Sequence, residues 1–142
     1  MLKVFPDPET LAREAARFVA GVGIGAVYSK GRFDLVLAGG RTPLATYRQL
    51  VAEFGHQLRL WRKTHVWWGD ERCVPVEHPD SNYHAARLAL LMPLGIPDEQ
   101  VPRIRAEVED PAAAAAGYDE VFPSAPDLLM LGLGESEDEL AE

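Results

Sequence analysis

Phe33-Asp34-Leu35-Val36-Leu37-Ala38-Gly39-Gly40-Arg41-Thr42-Pro43 reads as a strand, a turn and the start of a helix. The run from Phe33 to Ala38 is short and almost continuously apolar, as expected of a strand buried on both faces of a parallel sheet. Two glycines end it. Thr42 is the predicted N-cap and Pro43 the first helical residue. The helix should continue to about Phe54 and turn Leu44, Tyr47, Leu50 and Val51 inward.

Upstream, Asp7-Pro8-Glu9 opens a helix whose Leu11, Ala15, Phe18 and Val19 recur at helical spacing. It should run to about Ser29, with Lys30-Gly31-Arg32 as a turn. Downstream, Thr64 to Trp68 is a second strand. An irregular, charged segment follows, and Asp80 or Ser81 caps a helix to about Met92 that buries Ala85, Leu88, Ala89 and Met92. Pro93 to Pro102 reads as loop, and Val101-Pro102-Arg103-Ile104 as a short strand. Pro111 begins an alanine-rich helix over Ala112 to about Phe122. Asp127 to Leu131 is a third strand, and Gly132-Leu133-Gly134 its turn. Strands alternating with helices imply an α/β fold with a parallel sheet and right-handed crossovers.

The 142 residues suit one domain, with 47% hydrophobic and 25% charged side chains as in a globular protein. No apolar run is long enough for a membrane span, and the N-terminus does not read as a signal peptide. The single Cys73 excludes an intrachain disulfide and fits a reducing, cytoplasmic setting. A net charge of −8 argues against nucleic acid or an anionic membrane as partner. It leaves room for a small anion held by a local arginine and backbone amides.

Three glycine-bearing places compete for chemistry. Gly21-Val22-Gly23-Ile24-Gly25-Ala26 has the letters of a dinucleotide fingerprint, but a helical pattern precedes it where a strand is required. It reads as close helix packing. Gly39-Gly40-Arg41-Thr42 has the right context, because glycines and a helix N-terminus present unpaired amides to a phosphate. Gly69-Asp70-Glu71-Arg72 sets two carboxylates and a guanidinium at the exit of the second strand, where ligands of open α/β sheets collect. Cys73, His78, Asp80 and His84 match no common zinc spacing, so neither metal nor cofactor is expected. His56 and His65 read as solvated or structural, and Trp61, Trp67 and Trp68 as packing.

Taken in order, Leu35 to Pro43, Trp67 to Pro75, His78 to Tyr83 and Asp127 to Glu135 resemble the 6-phosphogluconolactonases. The resemblance runs from about Phe5 to Glu135. It implies a Rossmann-like three-layer α/β/α fold with a mainly parallel sheet, shared with glucosamine-6-phosphate deaminases and ribose-5-phosphate isomerases. It also implies hydrolysis of 6-phosphogluconolactone to 6-phosphogluconate in the pentose phosphate pathway. Gly39, Gly40, Arg41 and Thr42 then match the family's substrate loop, Arg72 its substrate-binding arginine, and Asp70 a neighbour in the same pocket. The expected partner is a small phosphorylated sugar lactone.

The third turn departs from the family. There the family reads Gly-x-Gly-x-Asp-Gly-His-Thr-Ala-Ser, with the histidine as the proposed base. Here Gly132-Leu133-Gly134-Glu135 leads into Ser136-Glu137-Asp138-Glu139-Leu140-Ala141-Glu142, and no histidine follows His84. The expectation is a sugar-phosphate-binding domain over residues 1–135 with a divergent acidic tail over 136–142 and a sheet incomplete at its C-terminal end. The catalytic residue is unassigned, activity should be absent or nearly so, and the uncovered sheet should favour self-association or marginal stability. His78 would be the first substitute base to test. The other readings are a glucosamine-6-phosphate deaminase relative, against which Arg72 stands where that group carries tyrosine, and a non-catalytic phosphosugar-binding fragment.

Overall fold

A computed structural model describes residues 3–105, 107, 108 and 110–130, with Arg41 described by its backbone alone. The turn at Gly132-Leu133-Gly134 and the tail over 136–142 lie outside the described residues. α1 (Pro8–Lys30) begins where the Asp7 carboxylate accepts the Thr10 amide at 2.7 Å. It ends at Gly31, whose φ of 76° lets its amide return to the Val27 carbonyl. β1 (Phe33–Leu37) follows, then α2 (Arg41–Phe54), α3 (Leu58–Arg62) and β2 (Thr64–Trp68). α4 (Asn82–Ala86) runs unbroken through a π-helical turn, Arg87–Leu91, into α5 (Met92–Leu94). After a 3₁₀ turn at Asp98–Gln100 come α6 (Pro111–Val121) and β3 (Leu128–Leu129).

The strands lie parallel in the order β2-β1-β3. Every residue of β1 is buried, including Asp34, whose carboxylate accepts Arg32 Nη2 at 2.9 Å and the Trp67 indole at 3.1 Å. Phe33, Leu35, Leu37, Val66 and Trp68 point to one face, where they join residues of α1, α2 and the Ala86–Leu94 helix in the main core. Val36 and Trp67 point to the other and meet Tyr118 and Phe122 from the α6 side. Helices therefore cover both faces. The connection from β1 to β2 keeps to the main-core face, whereas that from β2 to β3 places the Ala86–Leu94 helix on this face and α6 on the other.

Four details differ from the sequence reading. α2 starts at Arg41 with Gly40 as its cap, so Thr42 lies inside the first turn. Val101 to Ile104 forms no strand. The face of the Asn82–Leu94 helix is also shifted, burying Ala86, Leu90, Leu91 and Leu94 while Leu88 and Met92 are more than half exposed. Pro93 can neither donate to the preceding turn nor tolerate its carbonyl, and the widened turn before it moves the apolar stripe. Finally, Phe18 is 62% exposed, because α1 packs through its small residues Ala12, Ala16, Ala20 and Gly23.

At Gly23 a Cβ would come within 2.8 Å of the Leu60 and Phe33 side chains, so this glycine serves helix packing, as its context indicated. Gly25, two residues on, has open space at the same position. No described helix is long and apolar enough to cross a membrane. Gly25→Ala should therefore raise stability by about 0.5–1 kcal/mol. Gly23→Ala should lower it by about 1–2 kcal/mol, because overpacking outweighs the helix preference. Urea unfolding of the two variants checks this, and equal shifts would contradict it.

Candidate functional site

The Asp70-Glu71-Arg72 segment leaves β2 as irregular backbone and is held by its middle residue. The Glu71 carboxylate accepts the Asn82 amide at 2.6 Å, the Arg72 amide at 2.8 Å, the Tyr83 amide at 2.9 Å and the Ser81 hydroxyl at 3.1 Å. Two of these donors are first-turn amides of α4, which have no partner inside the helix. A carboxylate there meets both the free amides and the favourable end of the helix dipole. Ser81 caps the same helix, accepting the His84 amide at 3.2 Å. Of the two caps the sequence allowed, Ser81 is the one used.

Asn82 ties in the second loop. Its side chain is buried, and its Nδ2 donates to the Asp70 carbonyl at 3.2 Å. Its other end lies against Gly39, where any Cβ would collide with the Asn82 amide group. The loops after β1 and β2 thus close on one asparagine. Gly40 then turns the chain at φ 109°, ψ 178°, a conformation open essentially to glycine alone. It delivers the chain into α2 with no side-chain cap and no acidic residue in the first turn.

This uncapped helix start sits at the carboxyl end of β1. The strand order 2-1-3 also places the topological switch between β1 and β3, at this same end. Two tyrosines fix the strand exits. Tyr47 donates its hydroxyl to the Ala38 carbonyl at 2.6 Å, and burial pushes its phenol well above the usual range, so it remains a donor. On the other face the Trp68 amide donates to the Tyr118 hydroxyl oxygen at 2.6 Å, and burial pushes that phenol up to about 12 despite this bond.

The sequence candidates therefore fall into three groups. Gly39 and Gly40 shape the first loop, and Thr42 is exposed in the first turn of α2. Arg41 is the first residue of that helix, with its side chain outside the described part. Asp70 and Arg72 have exposed side chains on either side of the partly buried tie that Glu71 makes. Sequence reasoning passed over Glu71, Ser81 and Asn82 as site-builders. The available signal was the pairing of a Glu after one strand with a Ser-Asn helix start ten residues on.

His78 is exposed, and its Nδ1 accepts the Asp80 amide at 3.0 Å. Among the described residues no group of three or more His, Cys, Asp or Glu side chains could hold a metal. Replacing Glu71 by Ala should cost about 2 kcal/mol of stability, since it strips a shared charged acceptor from the helix start. Chemical denaturation checks this, and a loss below about 0.5 kcal/mol would show that the tie is not needed.

The family model for glucosamine-6-phosphate isomerases/6-phosphogluconolactonase matches residues 6–137. The 6-phosphogluconolactonase of Nostoc sp. is 35% identical over 94% of this chain and 58% of its own length. That of Synechocystis sp. is 38% identical over 78% of this chain and 48% of its own. Among solved structures, the 6-phosphogluconolactonase of Trypanosoma brucei superposes with a TM-score of 0.69 at 32% identity, covering 83% of this chain and 46% of that one. A monomeric glucosamine-6-phosphate deaminase superposes with a TM-score of 0.70 at 22% identity, which speaks for the shared fold alone. The chain spans about half the length of the relatives it matches. With a parallel α/β/α sheet and this match along nearly its whole length, the chain belongs to the glucosamine-6-phosphate isomerase/6-phosphogluconolactonase family.

Proposed function

We propose that this chain carries the phosphosugar-binding half of a 6-phosphogluconolactonase, recognising 6-phosphogluconolactone and 6-phosphogluconate through their phosphate. The observation that carries this reading is the start of α2, which among the described residues has no side-chain cap and carries no acid in its own first turn. Such an end attracts an anion. Gly39, Gly40 and Thr42 would line the phosphate, with Arg41 and Arg72 supplying charge and Asp70 a polar contact to the sugar. Relatives named 6-phosphogluconolactonase over most of this chain support the choice of substrate class.

In lactone hydrolysis, a phosphate anchored away from the reacting carbon orients the ester for attack by water. The step also needs a base near neutrality and donors for the developing oxyanion. The sequence has no histidine after His84, where the resemblance places the family's base, and the Nδ1 of His78 already accepts the Asp80 amide. The reading therefore separates binding from chemistry, with hydrolysis by these residues impaired. The cytoplasm, as the seat of this carbohydrate metabolism, and one sugar-phosphate domain over 1–135 belong to the same proposal.

Calorimetric titration with 6-phosphogluconate tests it alongside a lactone assay corrected for spontaneous hydrolysis. The expected result is binding that Arg72→Ala weakens by about tenfold or more, with hydrolysis near background. No binding by the unaltered chain would overturn the proposal. Hydrolysis well above background would keep the substrate and overturn the impairment.

A further inference from the structure

Arg103 lies on the irregular segment 101–104, which follows the last helix of the main core. Its guanidinium makes two bonds to the Glu107 carboxylate, at 2.7 and 3.0 Å. A fork-to-fork pair of this kind fixes orientation as well as position. The guanidinium carbon lies 5.4 Å from the centre of the Tyr83 ring, within cation–π range. The side chain is only 20% exposed, so the contact is partly desolvated. The segment is anchored upstream as well, because Gln100 Nε2 donates to the Thr64 carbonyl at 2.6 Å and the Trp61 carbonyl at 3.2 Å.

Tyr83 is the residue through which this could reach the site. Its amide donates to Glu71, whose carboxylate also accepts the Arg72 amide. Its ring packs edge-on against Trp68, the last residue of β2, with centroids 5.5 Å apart. A cation held over one face of that ring and an indole at its edge leave Tyr83 little freedom. Its amide is therefore kept where Glu71 needs it.

We infer that Arg103, clamped by Glu107, is a positioning residue for Arg72, acting through the Tyr83 ring and the Glu71 carboxylate. It touches no substrate in this assignment. Its contribution is to hold the Asp70-Glu71-Arg72 loop in one arrangement, so that less order is lost when an anion binds. Only the affinity arm of the test below rests on the proposed phosphosugar reading.

Amide hydrogen exchange on the full chain decides the matter without a ligand. In Arg103→Leu the amides of Arg72, Asn82 and Tyr83 should exchange about fivefold faster, while those of Leu35 and Val66 in the central strands keep their rates. Arg103→Lys should recover part of the protection, and Glu107→Gln should lose part of it. Equal acceleration at Leu35 and Val66 would reduce Arg103 to a general contributor to stability and overturn the proposal, as would unchanged rates at Arg72 and Tyr83. In the affinity arm, Arg103→Leu should weaken 6-phosphogluconate binding about fivefold in the natural background and by less than about twofold beside Arg72→Ala. Equal factors in both backgrounds would overturn it. If the unaltered chain binds no 6-phosphogluconate, the substrate reading falls and the exchange arm alone decides the role of Arg103.

Discussion

The Glu71 carboxylate is the point on which the site depends. It stands between the exit of β2 and the start of α4, and takes hydrogen bonds from both. A partly buried carboxylate costs free energy unless its oxygens are satisfied, and a helix start offers amides that nothing inside the helix can use. Each solves the other's problem. Because Asn82 follows the Ser81 cap, the same junction also carries the contact with Gly39. Two loops that diverge from neighbouring strands are thereby held at one edge of the sheet.

That arrangement leaves α2 and α4 with opposite characters. The start of α4 is filled by Glu71 and Ser81. Among the described residues the start of α2 has no such cap, though it arises at the neighbouring strand and at the switch in strand order. The contrast gives Glu71 a structural task, and the proposed anion site is at the glycine loop instead. It also divides Asp70-Glu71-Arg72 by role, since the middle residue turns inward to the helix while the outer two face solvent.

Much of this was legible in the sequence because the informative residues act locally. The limits of β2 and the exit of β1 at the glycines follow from apolar runs ended by turn residues, and the caps at Asp7 and Gly31 from their neighbours. The failures came where a local rule met tertiary structure. Thr42 is a better cap than Gly40 by propensity, yet the close approach of Asn82 and the turn at Gly40 start the helix earlier. Leu88 and Met92 fit a regular 3.6-residue period, but the π-helical turn before Pro93 rotates them into solvent. Glu71, Asn82 and Arg103 gave no local sign of their roles, since their partners lie in other segments.

The central claim is that the uncapped start of α2, together with Arg72, receives the phosphate of a sugar. Backbone amide NMR during titration with 6-phosphogluconate tests it most directly. The amides of Gly40, Arg41, Thr42 and Arg72 should shift together along one saturating curve, with the amides of α6 unmoved. Shifts confined to other surfaces, or none at saturating ligand, would contradict it.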